Sequence, residues 1–143
     1  MLSIALILML SVGLSEAQPG DPLEQFAWKN RVILVFHSES HVGTALEQVA
    51  LFKKRQKEFN DRDLVLGVID GGRKGAIDGT LIDAKDAAGL QQTFNPTNGD
   101  FLVVLIGKDG SVKLKEQTVV PASTIFNLID SMPMRRSEMR RNQ

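Results

Sequence analysis

An α/β domain, with a central mixed sheet between flanking helices, is predicted by three observations. Residues 31–36 (RVILVF) and 63–70 (DLVLGVID) are nearly unbroken apolar, β-branched runs, the pattern of strands covered on both faces. A segment of helical periodicity lies between them, which makes the pair a parallel crossover. Residues 101–106 and 111–115 then carry a hairpin signal, with Asp109-Gly110 at its turn.

In chain order, residues 31–36 make the central strand. Past a loop of His and Ser, Ala45, Val49, Phe52, Gln56 and Phe59 recur at helical spacing with Leu46 beside them. Lys53, Lys54, Lys57 and Glu58 fall on the outer face, and the helix is expected to end near Asn60, a residue that tolerates a left-handed cap. Residues 63–70 read as the second buried strand and residues 71–75 (GGRKG) as a mobile loop. Residues 83–94 (DAKDAAGLQQTF) read as a helix capped by Asp83, which Gly89 weakens by about 1 kcal/mol relative to Ala. Residues 95–100 (NPTNGD) break the chain ahead of the hairpin. Pro121 opens residues 121–132 (PASTIFNLIDSM), with Ile125, Leu128 and Ile129 on one face, and Pro133 interrupts the pattern before a basic tail. The order is βαβαββα.

Length and composition fit one ordinary core. The chain has 143 residues, 43% apolar and 24% charged, with 17 basic against 17 acidic side chains and no cysteine. Its first residues (MLSIALILMLSVGLSEA) are apolar to Leu14 and end in Ser15-Glu16-Ala17, so residues 1–17 read as a secretory signal cleaved after Ala17. The apolar run is shorter than the ~20 residues that span a bilayer, which argues against an uncleaved anchor and against stable membrane insertion after cleavage. The expected organisation is a signal over 1–17, a domain over 18–131 and a tail over 132–143, in a secreted or periplasmic chain. The tail holds four arginines against one glutamate, leaving a slightly acidic body with no basic field for nucleic acid.

The element order resembles the thioredoxin fold, and residues 32–44 (VILVFHSESHVGT) stand where that family has its strand followed by Cys-x-x-Cys. His41 and Thr44 fall about where the two thiols would be. The proline that directly precedes the hairpin strand in thioredoxins is replaced by Asn98-Gly99-Asp100, with Pro96 further back. Residues 26–36 (FAWKNRVILVF), 105–115 (LIGKDGSVKLK) and above all 128–141 (LIDSMPMRRSEMRR) are similar to the family called domain of unknown function 4174. That resemblance implies a thioredoxin- or peroxiredoxin-like domain lacking the peroxidatic thiol. It also implies kinship with bacterial exported proteins and with animal sushi-repeat and matrix proteins, where adhesion roles occur; it carries over no activity.

The candidate site is the loop after the central strand, because crevices at strand C-termini bind ligands in α/β sheets. Ser38, Glu39, Ser40, His41 and Thr44 are the expected ligand contacts, with the bland alternative that Ser40 or Thr44 only caps the helix. Asp70 is expected at the same sheet edge beside His41, where a carboxylate would orient the imidazole, and Arg73 makes the adjoining loop locally basic. His37, Glu39 and His41 are all zinc-ligand types and would point to one side of an extended loop. Three ligands within five residues rarely close a metal site alone, and the residues argue against one. Ser38 or Ser40 with His41 gives a hydrolase reading that lacks a nucleophile elbow.

In the tail, Met132, Met134 and Met139 supply soft apolar surface. Helical spacing would set Arg135, Glu138 and Arg141 in a surface ion-pair ladder, with Arg136 and Arg140 beside it. The tail either docks on its own domain, engages a partner or frays. Taken together, the residues read as an exported, thioredoxin-like domain without redox chemistry or cofactor, binding an envelope or extracellular protein. The alternatives are an enzyme using the His37/Glu39/His41 loop, by metal or acid–base chemistry, and a structural component of an envelope or matrix.

Overall fold

The computed structural model describes residues 20–143 except residue 96. The expected signal over 1–17 and the position of Pro96 lie outside the described residues. A 3₁₀ turn at Glu24–Phe26 leads into β1 (Arg31–His37), then a second 3₁₀ turn (Glu39–His41), α1 (Val42–Lys53) and α2 (Gln56–Asp61). There follow β2 (Leu64–Asp70), β3 (Lys74–Ile77), β4 (Thr80–Ile82), α3 (Ala84–Phe94), β5 (Phe101–Ile106), β6 (Val112–Glu116), α4 (Ala122–Asp130) and α5 (Pro133–Arg141). The strands form one mixed sheet in the order β4-β3-β2-β1-β5-β6, with β1 parallel to β2 and antiparallel to β5.

All seven residues of β1 are buried, because alternate side chains enter two separate cores. Ile33 and Val35 join Ala45, Phe52, Phe59, Val103, Leu105, Ile125 and Ile129 on one face. Val32, Leu34 and Phe36 join Phe26, Ile69, Ala87, Leu90 and Val104 on the other. Asp83 caps α3 as its sequence position implies, its Oδ1 accepting the Asp86 N–H at 2.7 Å. The β5–β6 turn runs through Asp109-Gly110, with Gly110 at φ +81°. The backbone N–H and hydroxyl of Ser111 hold the Asp109 carboxyl down at a pKa of about 2.

Four expectations change. Residues 71–75 do not form a mobile loop: Gly71 and Gly72 make a tight turn, and Lys74 and Gly75 begin β3. Gly75 fits a strand because a Cβ there would meet the Ile69 side chain and the Val68 carbonyl oxygen, each at 2.8 Å. The β3–β4 hairpin closes through Asp78-Gly79, both left-handed at φ +52° and +76°, as a two-residue type I′ turn requires. The single long helix is two, since Arg55 leaves helical geometry at φ −118°, ψ 37°. The Arg55 guanidinium lies 5.1 Å from the Phe126 ring centroid and bonds Glu58 at 3.0 Å. The left-handed residue past the second helix is Asp63, not Asn60. Finally, the buried side of α1 is Ala45, Gln48 and Phe52, while Leu46 is 65% exposed.

The tail is folded onto the domain. Pro133 occupies the first turn of α5, where its missing N–H costs nothing. The expected ladder forms only in part, and buried: Arg135 Nη1 lies 3.9 Å from Glu138 Oε2, while Arg141 stays exposed. Glu138 turns inward and accepts from both terminal nitrogens of Arg31 at 3.2 Å and from Lys108 Nζ at 2.7 Å. Arg31 opens β1 and is 1% exposed, so an uncompensated charge there would be expensive. Arg135, also buried, bonds Asp61 at 2.8 Å and Asp130 at 3.1 Å, and Arg62 holds the other oxygen of Asp130 at 2.8 Å. Met132 packs against the first core, Met139 is half-buried and Met134 is 40% exposed.

Burial alone would raise the Glu138 pKa, but the hydrogen bonds from Lys108 and Arg31 outweigh it and hold the carboxyl below its ordinary 4.5. A depressed folded-state pKa contributes stability that is fully present above the unfolded value and is lost as pH falls through the folded one. Urea unfolding is therefore expected to show stability falling on acidification below about 4.5, less steeply in Glu138→Gln. Glu138→Ala at neutral pH should cost about 3–5 kcal/mol, since it strands Arg31. Gly89→Ala should do the opposite: nothing lies within 4 Å of a Cβ at Gly89, so thermal unfolding should show about 0.5–1 kcal/mol of gain.

Candidate functional site

The loop after β1 curls at once. The Ser38 N–H donates to the Asp100 carbonyl at 2.8 Å and the Ser38 carbonyl accepts from His41 N–H at 3.0 Å, closing the 3₁₀ turn. The curl separates the two histidines. His37 remains in the strand, 9% exposed, with Nδ1 3.0 Å from the Ser38 carbonyl oxygen. His41 lies at the start of α1, its Nδ1 within 3.0 Å of Ser40 Oγ and 3.3 Å of Ser38 Oγ. Neither Ser40 nor Thr44 caps α1; the cap position is His41 and makes no side-chain cap bond. Glu39 is exposed.

Strand register decides where Asp70 goes. It lies opposite His37 across β1–β2, not beside His41, with Oδ1 3.9 Å from His37 Nδ1 and Oδ2 3.5 Å from Lys74 Nζ. Asp70 Oδ1 is buried without a hydrogen-bond partner. Arg73 folds over the Gly71 turn, outside the His41 loop. His37, Glu39 and His41 therefore do not converge, and among the described residues no three His, Cys, Asp or Glu side chains group as metal ligands.

What does converge on His41 and Thr44 comes from elsewhere in the chain. They form one wall of a groove of about 430 Å³, with Gly99, Asp100 and Phe101 on a second wall and Gln117, Thr118 and Val119 on a third. Both distant walls are clamped. Asn95, 4% exposed, accepts the Gly99 N–H at 3.0 Å and donates to the Gly99 carbonyl at 2.9 Å. Gln48, fully buried in α1, accepts the Val120 N–H at 2.7 Å and donates to its carbonyl at 2.9 Å. Each amide side chain thus replaces a missing ladder neighbour for a backbone segment just outside the sheet. Sequence reasoning found His41 and Thr44 but missed Asp100, Gln117 and both clamps. The one available signal was Gln48, an amide one helical turn from Ala45 and Phe52.

A six-stranded mixed sheet, with a polar groove where the loop after its central strand meets the segment before β5, defines a thioredoxin-like α/β domain, here without thiols. Residues 22–138 match the model of DUF4174, a domain of unknown function, and the chain belongs to that family. No curated protein matches the chain. Among solved structures it is similar to the reduced 2-Cys peroxiredoxin of Plasmodium vivax, at 16% identity and a TM-score of 0.55. That likeness covers 80% of this chain and 84% of the peroxiredoxin, and it is one of fold.

The clamps and the rim should separate cleanly under mutation. Gln48→Ala leaves two buried backbone groups unpaired and is expected to lower unfolding stability by about 2–4 kcal/mol. His41→Ala, at the half-buried rim of the groove, should stay within about 0.5 kcal/mol in the same denaturation assay.

Proposed function

We propose that the chain is an exported, non-redox binding module that holds a segment of an envelope or extracellular protein in the groove at His41. The observation that carries the reading is the pair of amide clamps, Asn95 on Gly99 and Gln48 on Val120. They set the groove walls before any ligand arrives, so binding need not order them. Its lining joins two apolar side chains, Phe101 and Val119, to a few polar groups, which is the composition of a recognition site. Thiol–disulfide exchange and cysteine-based peroxide reduction both need a thiolate, and the chain has no cysteine. Export rests on the apolar N-terminal sequence and its small-residue cleavage pattern.

The hydrolase alternative has one observation in its favour, the 3.0 Å contact between Ser40 Oγ and His41 Nδ1. A working pair needs a third group that orients the imidazole. Asp70 lies opposite the other histidine in the strand register, and Nδ1 of His41 is shared between two hydroxyls, the geometry of a turn network.

Four assays test the reading. The purified chain should neither reduce insulin disulfides nor consume peroxide, and it should not hydrolyse activated esters. Selection from a displayed random-peptide library should enrich sequences that bind the wild type and are lost on the double variant His41→Ala/Gln117→Ala. Ester turnover abolished by Ser40→Ala, or enrichment indifferent to the double variant, would overturn it.

A further inference from the structure

At the opposite end of the sheet the structure holds an exposed aromatic residue that the fold does not account for. Trp28, the only tryptophan of the chain, is 69% exposed. Its backbone is left-handed at φ +65°, a region that a bulky L-residue rarely adopts. The turn around it is tightly bonded: Trp28 N–H donates to the Lys108 carbonyl at 2.7 Å, and the N–H groups of Lys29 and Asn30 both donate to Phe26 O at 2.9 Å. The chain thus keeps a disfavoured conformation while leaving the indole in water, so neither cost is recovered in the core. Strain of this kind persists where surrounding structure enforces it, and it gathers at functional positions.

Lys108 joins this turn to α5, because its Nζ donates to Glu138. With Arg135 and Glu138 turned inward, the helix presents Arg136, Arg140 and Arg141 to solvent. Among the described residues, the one side-chain hydrogen bond of Arg140 is to the Ser137 hydroxyl, at 3.0 Å. Lys29, next to Trp28, is exposed as well. We propose that Trp28 and the outward arginines of α5 form a docking surface for an acidic protein segment, with the indole as its apolar anchor.

Charge and composition choose that partner. Guanidinium forks match carboxylates, and Trp with Arg is the pairing enriched at the energetic centres of protein interfaces. A membrane-lying helix needs an apolar outer stripe, whereas α5 exposes Pro133, Arg136 and Arg140, with Met134 at its flank. A long polyanion calls for a basic field over the body, and the chain is balanced at 17 against 17. This surface lies at the other end of β1 from the His41 groove and does not depend on how that groove is used.

The test uses the whole chain and labelled poly-L-glutamate as probe, read by anisotropy and by acrylamide quenching of the single tryptophan. Poly-L-glutamate should shield the indole and shift its emission to the blue, reversibly with added salt. The variant Arg136→Gln/Arg140→Gln/Arg141→Gln should lose this shielding at unchanged melting temperature. Trp28→Gly removes both the strain and the anchor; it should melt at the same or a higher temperature and bind the probe about tenfold more weakly. A marked fall in melting temperature for Trp28→Gly would make the indole structural and overturn the proposal. So would binding indifferent to both variants, or shielding by heparin or by phosphatidylserine vesicles but not by poly-L-glutamate.

Discussion

The contact between Arg31 and Glu138 constrains one whole end of this molecule. A guanidinium at the first residue of the central strand, 1% exposed, requires a carboxylate, and the chain supplies it from a helix 107 residues later. Lys108, at the β5–β6 turn, shares that carboxylate and also bonds Asp63, the left-handed residue between α2 and β2. Arg135 and Arg62 extend the network to Asp61 and Asp130. Such a lattice has little value as net stabilisation, because desolvating its members offsets most of the attraction. Its effect is positional: α5 has one seat, since any other leaves Arg31 buried without a carboxylate.

The opposite end of the sheet is organised by neutral groups. There the segments before β5 and after β6 leave the ladder, and their backbone groups would be orphaned without Asn95 and Gln48. Amide clamps fix backbone position without placing a charge near the groove, so the electrostatic character of that groove is set by what lines it, Asp100 and the His41 imidazole. A redox thioredoxin-like protein spends this location on a thiolate. Here the same location is a cleft lined by both polar and apolar side chains.

The legibility of each part in the sequence follows from how local its cause is. β1, β2 and β5 were readable because burial on both faces writes itself as continuous apolar runs, and Asp109-Gly110 marked its hairpin because left-handed turns demand those residues. Asp78-Gly79 carried the same signal for β3–β4, obscured by the glycines before it that read as a loop. The break at Arg55 is harder to read, because its guanidinium bonds Glu58 nearby but also lies over Phe126, which is distant in sequence. Glu138 looked like part of a surface ladder because its inward partners lie 107 and 30 residues away. For the site, His41 and Thr44 follow from topology, whereas Asp100 and Gln117 enter only when three loops meet. Asp70 was placed beside the wrong histidine because the 3₁₀ curl, invisible in composition, carries His41 off while register keeps His37 opposite Asp70.

Both ends of the sheet are set in the free protein, one by ions and one by amides. Native-state hydrogen exchange measures this directly through the amides of Gly99 and Val120, which the clamps bond, and that of Arg136, bonded to the Met132 carbonyl in α5. All three are expected to be strongly protected without ligand, approaching the protection of Val35 in the central strand. Exchange of Gly99, Val120 or Arg136 near the free-peptide rate, with Val35 still protected, would contradict this.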